Sequence, residues 1–180
     1  MGIILVQKGS FIEAITFFRN AIDSNSQVEQ YWVSYISALT RIGRTNNAKN
    51  LILEAKSNGM RSAAFDSLLE AIRNLDEKHQ FLIDLLKKNK LTEALDAATN
   101  LCSIHTHNAN FASVLGVTNF KLKNYAQALE QYELALRLDA FAVDAYFNQG
   151  ICQKQLDKLN DALSLFLKAI IIEPDFVLAY

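Results

Sequence analysis

The sequence predicts an all-helical protein, an αα-superhelix of about five helix–turn–helix repeats with one extra helical insertion. Six Gly and one Pro in 180 residues are too few for the many turns of a β-sandwich or barrel. One small residue recurs at steps of 34, 46, 34 and 34 residues, at Ala14, Ala48, Ala94, Ala128 and Ala162. Equal steps indicate an internal repeat, and the longer step indicates an insertion of 12 residues.

Three further positions keep the same register. Seven residues after each alanine come Ala21, Ala55, Leu101, Ala135 and Ala169. Four residues after it come Phe18, Ile52, Ala98, Tyr132 and Phe166, and twelve before it come Gly2, Ile36, Leu82, Gly116 and Gly150. Small residues at fixed spacing let two helices approach closely, and we expect the larger apolar residue to fill the space beside them.

The register divides the chain into consecutive segments. They are a partial repeat at 1–28, a repeat at 29–62, a helical insertion at 63–74, a degenerate repeat at 75–108, repeats at 109–142 and 143–176, and the start of a truncated further repeat at 177–180. Both ends fall inside a repeat. We therefore expect the chain to be a segment of a longer protein, because each repeat of a solenoid buries its face on a neighbour.

Local signals predict how the helices begin and end. Ser10-x-x-Glu13 and Asn124-x-x-Gln127 fit the capping box that opens a helix. Pro174 follows an apolar run at the place where a proline ends a helix. In the insertion, one face holds Phe65, Leu68, Leu69 and Ile72 without Gly or Pro. This pattern predicts an extra helix, or a longer helix that continues toward residue 88.

These residues resemble the tetratricopeptide repeat (TPR) family, whose period is 34. The segment 143–176 matches best, through Tyr146, Gly150, Ala162, Phe166, Ala169 and Pro174. The segment 109–142 matches through Leu115, Gly116, Tyr125, Ala128, Tyr132 and Ala135. The segment 29–62 has Trp32 but Ile36 in place of glycine, and 75–108 has Leu82 and Leu101 at small-residue positions. The resemblance implies a TPR solenoid.

In the TPR family the first helix of each repeat lines a concave surface that binds proteins or peptides. Carried over position by position, the resemblance implies a binding surface of His79, Ile83, Asn110, Val117, Phe120, Phe147, Asn148 and Ile151. The apolar members would supply binding energy, and Asn148 would hold the peptide backbone. The alternative is that Phe120 and Ile151 only pack between helices. No carboxylate clamp is expected, because Ser113 and Val114 stand at the matching places.

A second, narrower resemblance gives an alternative function. The segments 32–39, 65–69 and 115–118 are similar to repeat regions that precede catalytic domains in some bacterial glycosyltransferases and sulfotransferases. That resemblance implies the N-terminal region of a larger transferase, serving substrate recognition or oligomerisation. A third interpretation is self-association through exposed repeat ends.

No catalytic or cofactor motif occurs in the sequence. It lacks a Gly-rich phosphate loop, a Cys pair at metal spacing and a nucleophile elbow. His105 and His107 form a pair without a third ligand. The net charge of −1 disfavours nucleic acid and anionic membranes as partners. Two cysteines and no signal peptide favour the cytoplasm. We expect a non-enzymatic protein without cofactor or metal.

Overall fold

The computed structural model describes residues 1–175, which form ten α-helices and, within that range, no strand. This confirms the predicted all-helical solenoid fold. The predicted start of a further repeat, 177–180, lies outside the described residues. The helices are α1 (Gly2–Gln7), α2 (Phe11–Ser24), α3 (Glu29–Ile42), α4 (Thr45–Ser57), α5 (Ala63–Lys87), α6 (Leu91–Ile104), α7 (Ala109–Lys121), α8 (Tyr125–Leu138), α9 (Val143–Gln155) and α10 (Leu159–Ile172).

The chain forms two compact units, Met1–Gln80 and Phe81–Tyr180. The boundary falls inside α5. In the first unit, α1 packs on α2, α2 on α3 and α3 on α4. Its core contains Trp32, which is 1% exposed and donates its indole N–H to the carbonyl oxygen of Ser26 over 2.8 Å. The buried Trp32 therefore has a satisfied polar group and serves packing.

The second unit repeats the same hairpin arrangement. Helices α6 to α10 pack consecutively, and α7 also contacts α9. One part of the contact region of α7, α8 and α9 is made of small residues, because Ala109, Ala112, Ala135 and Ala145 form one buried cluster. Small side chains allow the helix backbones to approach closely. This brings the first helices of two consecutive repeats side by side.

The repeated alanines are buried as the spacing predicts. Ala14, Ala48, Ala94 and Ala128 are 0% exposed, and Ala162 is 2% exposed. The repeated glycines face the aromatic residue sixteen positions later. A Cβ atom added at Gly2, Gly116 or Gly150 would meet the ring of Phe18, Tyr132 or Phe166 within 3.0 Å. The aromatic ring therefore occupies the space that the missing side chain leaves, and the packing prediction is confirmed.

All five hairpins turn in the same way. A residue with positive φ stands between the two helices of each hairpin, at Gly9, Gly43, Asn89, Lys123 and Asp157. The N–H of the following residue then donates to a carbonyl oxygen five positions earlier, as in Ser10 to Leu5 over 2.9 Å. This is the Schellman arrangement that ends a helix through a left-handed residue. The sequence shows it poorly, since only two of the five residues are glycine.

The predicted capping boxes do not form. Ser10 and Asn124 occupy the N-cap positions of α2 and α8, but neither side chain accepts a hydrogen bond from the helix. A capping box needs the backbone N–H of its first residue. Here the N–H of Ser10 is bound to Leu5, and that of Asn124 is bound to Asn119, both over 2.9 Å. The left-handed turn therefore uses the groups that the box requires. Asn108 does cap α7, by accepting the N–H of Phe111 over 3.2 Å.

Helix α5 is one continuous helix of 25 residues. It covers both the inserted residues and the first helix of the degenerate repeat. Phe65 and Ile72 are 0% exposed and lie in the same core cluster as Ile52 and Ala55 of α4. Lys49 of α4 forms an ion pair with Asp76 over 2.5 Å. The apolar stripe of the insertion therefore packs onto the hairpin that precedes it.

Candidate functional site

Two helices hold six of the eight predicted binding residues. Asn110, Val117 and Phe120 lie on α7, and Phe147, Asn148 and Ile151 lie on α9. Spacings of three, four and seven residues place each set on one side of its helix. Helices α7 and α9 contact each other, so the two sets of residues belong to neighbouring helices. We call this surface the α7–α9 face.

The α7–α9 face is only partly open to solvent. Asn110 is exposed, and Val117, Asn148 and Ile151 are half-buried. Val114 lies on the same side of α7 but is 5% exposed. Val114 is therefore a core residue, although it stands at one of the places that match a carboxylate clamp in the TPR family.

Both aromatic residues of the face also contact their own hairpins. The ring of Phe120 lies 5.6 Å from that of Tyr125, and the ring of Phe147 lies 5.7 Å from that of Phe166, centroid to centroid. Both phenylalanines are half-buried. Phe120 therefore packs between helices, as the alternative expected, while part of its ring remains accessible. These contacts hold the two rings in fixed positions.

The other two predicted residues lie on α5. His79 and Ile83 are both half-buried. His79 belongs to the first compact unit and Ile83 to the second. The α7–α9 face is therefore defined without His79.

Charges stand at the ends of the face and not in its middle. Lys121 and Lys154 are exposed in the last turns of α7 and α9, and Asp144 is exposed in the first turn of α9. Cations near helix C-termini are favoured by the helix dipole. The middle of the face is therefore apolar and amide-lined, with a basic region at one end.

The titratable groups elsewhere give no reactive site. Burial raises the pKa of the Cys102 thiol to about 11 and also raises the pKa of Cys152. Both thiols are therefore protonated at neutral pH, which makes them weak nucleophiles. The ring of His105 lies 5.4 Å from that of Phe111. Among residues 1–175, no three His, Cys, Asp or Glu side chains come together as a metal site would require.

The structure shows an apolar surface that the sequence reasoning missed. Four aliphatic side chains of α10 are between 50% and 79% exposed, at Leu159, Leu163, Leu167 and Ile171. Their regular four-residue spacing was a visible signal. It was missed because helical apolar residues were assigned to the core. Within the described part of the chain, no helix combines the length and apolar composition that a membrane span requires.

Comparisons with known proteins match one of the predicted repeats and the fold. Residues 111–141 match the family model described as tetratricopeptide repeat. A comparison with curated proteins gave no match. Among solved structures, YrrB, titled a TPR protein with an unusual peptide-binding site, is 19% identical with a TM-score of 0.51, covering 99% of this chain and 86% of that one.

Two shorter matches have the same fold. The first TPR of Spaghetti (RPAP3), bound to the HSP90 peptide SRMEEVD, is 24% identical with a TM-score of 0.54, covering 57% of this chain and 81% of that one. The Arabidopsis OM64 TPR domain is 20% identical with a TM-score of 0.54, covering 58% and 86%. The resemblance to the TPR family is thus confirmed. The narrower resemblance to transferase repeat regions stays a prediction.

Proposed function

We propose that this chain, which matches the tetratricopeptide repeat over residues 111–141, is a non-catalytic interaction module that binds a protein or peptide segment along the α7–α9 face. The observation that carries the proposal is the set of apolar and amide side chains, half-buried or exposed, on two first helices that contact each other. Two structures with the same fold support it, since YrrB has an unusual peptide-binding site and the first TPR of Spaghetti (RPAP3) holds an HSP90 peptide.

The side chains of the face suit an extended peptide. Val117, Phe147 and Ile151 offer partly exposed apolar surface that a ligand would remove from water. The amides of Asn110 and Asn148 each provide donors and an acceptor, which can satisfy a peptide backbone. Apolar anchors would supply affinity, and the two amides would fix the direction of the chain.

The charge distribution limits the class of peptide. The peptide SRMEEVD in the Spaghetti structure contains three acidic side chains. On the α7–α9 face, Lys121 and Lys154 stand only at the C-terminal ends of the helices, and Asp144 stands at the opposite end. We therefore expect a ligand with two or three apolar side chains and an acid at one end.

The test starts from peptides of unknown sequence. Peptides are selected from a phage-displayed random library on the immobilised chain and then measured by titration calorimetry. We expect Asn148→Ala and Ile151→Ala to weaken the selected peptides at least about tenfold, as residues in the centre of an interface do. Phe120 and Phe147 are poorer targets, because their loss would also remove the contacts with Tyr125 and Phe166.

The matched control is Gln127→Ala, a substitution at an exposed position of α8. It should leave peptide affinity unchanged. Circular dichroism must show equal helix content in all variants. Peptides that bind wild type, Asn148→Ala and Ile151→Ala equally would locate the binding site elsewhere and refute the proposal.

A further inference from the structure

The basic residues of the second compact unit gather at one of its two ends. Its consecutive helices are joined by loops of three or four residues. Helices joined in this way run antiparallel, so α5, α7 and α9 all end on the same side of the unit. We call the three turns found there, 87–90, 121–124 and 154–158, the hairpin tips. They hold seven of the nine Lys and Arg residues between 81 and 180, all exposed: Lys87, Lys88, Lys90, Lys121, Lys123, Lys154 and Lys158.

Acidic residues do not balance the charge of the hairpin tips. The tips contain one acid, Asp157, and three more stand within three residues of a tip, at Asp84, Glu93 and Asp161. Glu93 forms an ion pair with Lys90, over 2.9 Å from Nζ to Oε1. Seven cations therefore face four anions at this end, whereas the rest of 81–180 has two cations and seven anions. The central tip is the least compensated, because no Asp or Glu occurs from 97 to 129.

Three of the tip lysines stand where folding favours a different residue. Lys90 and Lys158 are the N-cap residues of α6 and α10, and neither side chain caps its helix. Lysine has no acceptor for the first helical amides, and its charge is repelled by the positive end of the helix dipole. Lys123 has φ of 64°, a conformation that suits glycine. The helix dipole accounts for a cation at Lys121, in the last turn of α7, but stability does not account for the other three.

We propose that the hairpin tips bind an acidic segment of a partner protein, a stretch of chain rich in Asp and Glu. Each tip offers two or three exposed ammonium groups, which attract carboxylates and speed their encounter with the protein. This site is distinct from the α7–α9 face, whose middle is apolar. Lys123 and Lys158 lie beyond the last residues of α7 and α9, so they belong to the tips alone.

The composition of the hairpin tips favours a protein segment over a nucleic acid. Single-stranded nucleic acids are held by aromatic rings and Arg planes that stack on the bases, and the residues of the tips include neither. A nucleic acid also carries a charge at every phosphate, so the seven acidic residues elsewhere on the unit would repel it. A protein segment can place its carboxylates at the tips and uncharged residues between them.

Fluorescence anisotropy of a labelled peptide of about eight glutamates, which spans roughly 26–29 Å when extended, tests binding to the 180-residue chain. Binding in about 0.01 M salt should be lost in about 1 M salt, because the screening length falls from about 30 Å to about 3 Å. Lys123→Gln combined with Lys158→Gln should weaken binding at least about threefold, since two exposed ion pairs are lost. The matched control combines Arg137→Gln with Lys168→Gln, which removes the same charge away from the tips and should bind nearly as wild type does.

Asn148→Ala separates this site from the α7–α9 face. It should bind the glutamate peptide as wild type does, so either proposal can fail without the other. Absence of binding at low salt would overturn the proposal, and so would equal weakening by the two pairs of substitutions. It would also be overturned if a single-stranded oligonucleotide of the same charge, or a phosphatidylserine vesicle, bound more tightly than the peptide and lost affinity in the variant with Lys123→Gln and Lys158→Gln.

Discussion

Gly116 of α7 lies directly against the ring of Tyr132 of α8. A Cβ atom added at Gly116 would stand 2.6 Å from the nearest ring carbon, closer than any van der Waals contact allows. The same relationship joins Gly2 to Phe18, where the distance is 2.7 Å. Two hairpins lack the glycine, and there the aromatic residue is also lost. Ile36 is paired with Ile52, and Leu82 with Ala98, all of them buried.

The contact between Gly116 and Tyr132 predicts that a larger residue on α7 is better tolerated when the residue on α8 is made smaller. Gly116→Leu should overpack α7 against α8 and lower the free energy of unfolding by at least about 1–3 kcal/mol. Tyr132→Ala alone should cost about 3–5 kcal/mol through the cavity it leaves. The double variant reproduces the Leu82 and Ala98 pair. We expect it to be more stable than the two separate losses predict, by about 0.5–3 kcal/mol.

Urea unfolding of the four proteins in this cycle measures the coupling. As a control, Gly59→Ala changes a glycine with φ of 83° and nothing within 4 Å of the added Cβ atom. Its cost should come from the backbone alone and should not change when Tyr132 is replaced. Strictly additive losses for Gly116→Leu and Tyr132→Ala would contradict the pairing.

The repeated alanines predict a contrast between neighbouring positions on one helix. Ala128 is 0% exposed and Ala162 is 2% exposed, whereas Gln127 is exposed. Ala128→Leu and Ala162→Leu should each cost about 1–3 kcal/mol, because no space exists for the added carbons. Gln127→Leu should change stability by less than about 0.5 kcal/mol. Thermal unfolding followed by circular dichroism checks this, and equal effects at all three positions would refute the packing assignment.

The hairpin turns predict stabilising substitutions to glycine. Lys123 and Asp157 have φ of 64° and 60°, a conformation that costs an L-residue roughly 1–2 kcal/mol. Lys123→Gly and Asp157→Gly should therefore raise the free energy of unfolding. The gain should be below about 1 kcal/mol, since glycine also loses more backbone entropy on folding.

The control for the turn substitutions lies two residues before Lys123. Lys121→Gly places glycine at the last residue of α7, where φ is negative, and should destabilise the protein by up to about 1 kcal/mol. The measurement is the midpoint of urea unfolding. If Lys123→Gly lowers that midpoint as Lys121→Gly does, the left-handed turn does not form at Lys123 in solution.

The Cys102 thiol predicts a shift in the pH dependence of alkylation. Burial raises its pKa from the ordinary value of 9.0 to about 11. Only the thiolate reacts with iodoacetamide. The alkylation rate should therefore reach its midpoint near pH 11 in the folded protein and near pH 9 in denaturant. Folding favours the neutral thiol, so the contribution of Cys102 to stability is fully present below pH 9 and is lost as the pH rises toward 11. A native rate that reaches its midpoint near pH 9 in Cys152→Ala would contradict this.

The sequence predicted the burial of the repeated small residues because this constraint is carried by single residues. Ala128 and Gly116 are small for steric reasons that recur every 34 residues, so spacing alone revealed them. The turn at Lys123 could not be predicted, because lysine is not typical of a left-handed conformation, whereas aspartate, as at Asp157, adopts it more readily. The capping box predicted at Ser10 was wrong because the N–H of Ser10 is used by the left-handed turn at Gly9.

The sequence predicted on which side of each helix the candidate site lies, but not which residues of that side are accessible. Family positions placed Val114 and Val117 on the same side of α7, and the structure separates them, with Val114 buried and Val117 half-buried. That difference depends on tertiary packing around α7, which the position of a residue on one side of a helix does not encode. The exposed aliphatic residues of α10 were missed for a related reason. Leu167 occupies the position of α10 that matches Glu133 of α8, and both are exposed, but an apolar residue in a helical pattern was assigned to the core.

The glycine and the ring that fills its place always belong to one hairpin. Lengthening the chain between hairpins therefore leaves each such pair intact, and the twelve additional residues before the degenerate repeat are an instance. Lengthening the turn within a hairpin would separate the pair. Insertions and deletions should therefore be tolerated during evolution after the second helix of a hairpin and selected against in the turn between its two helices.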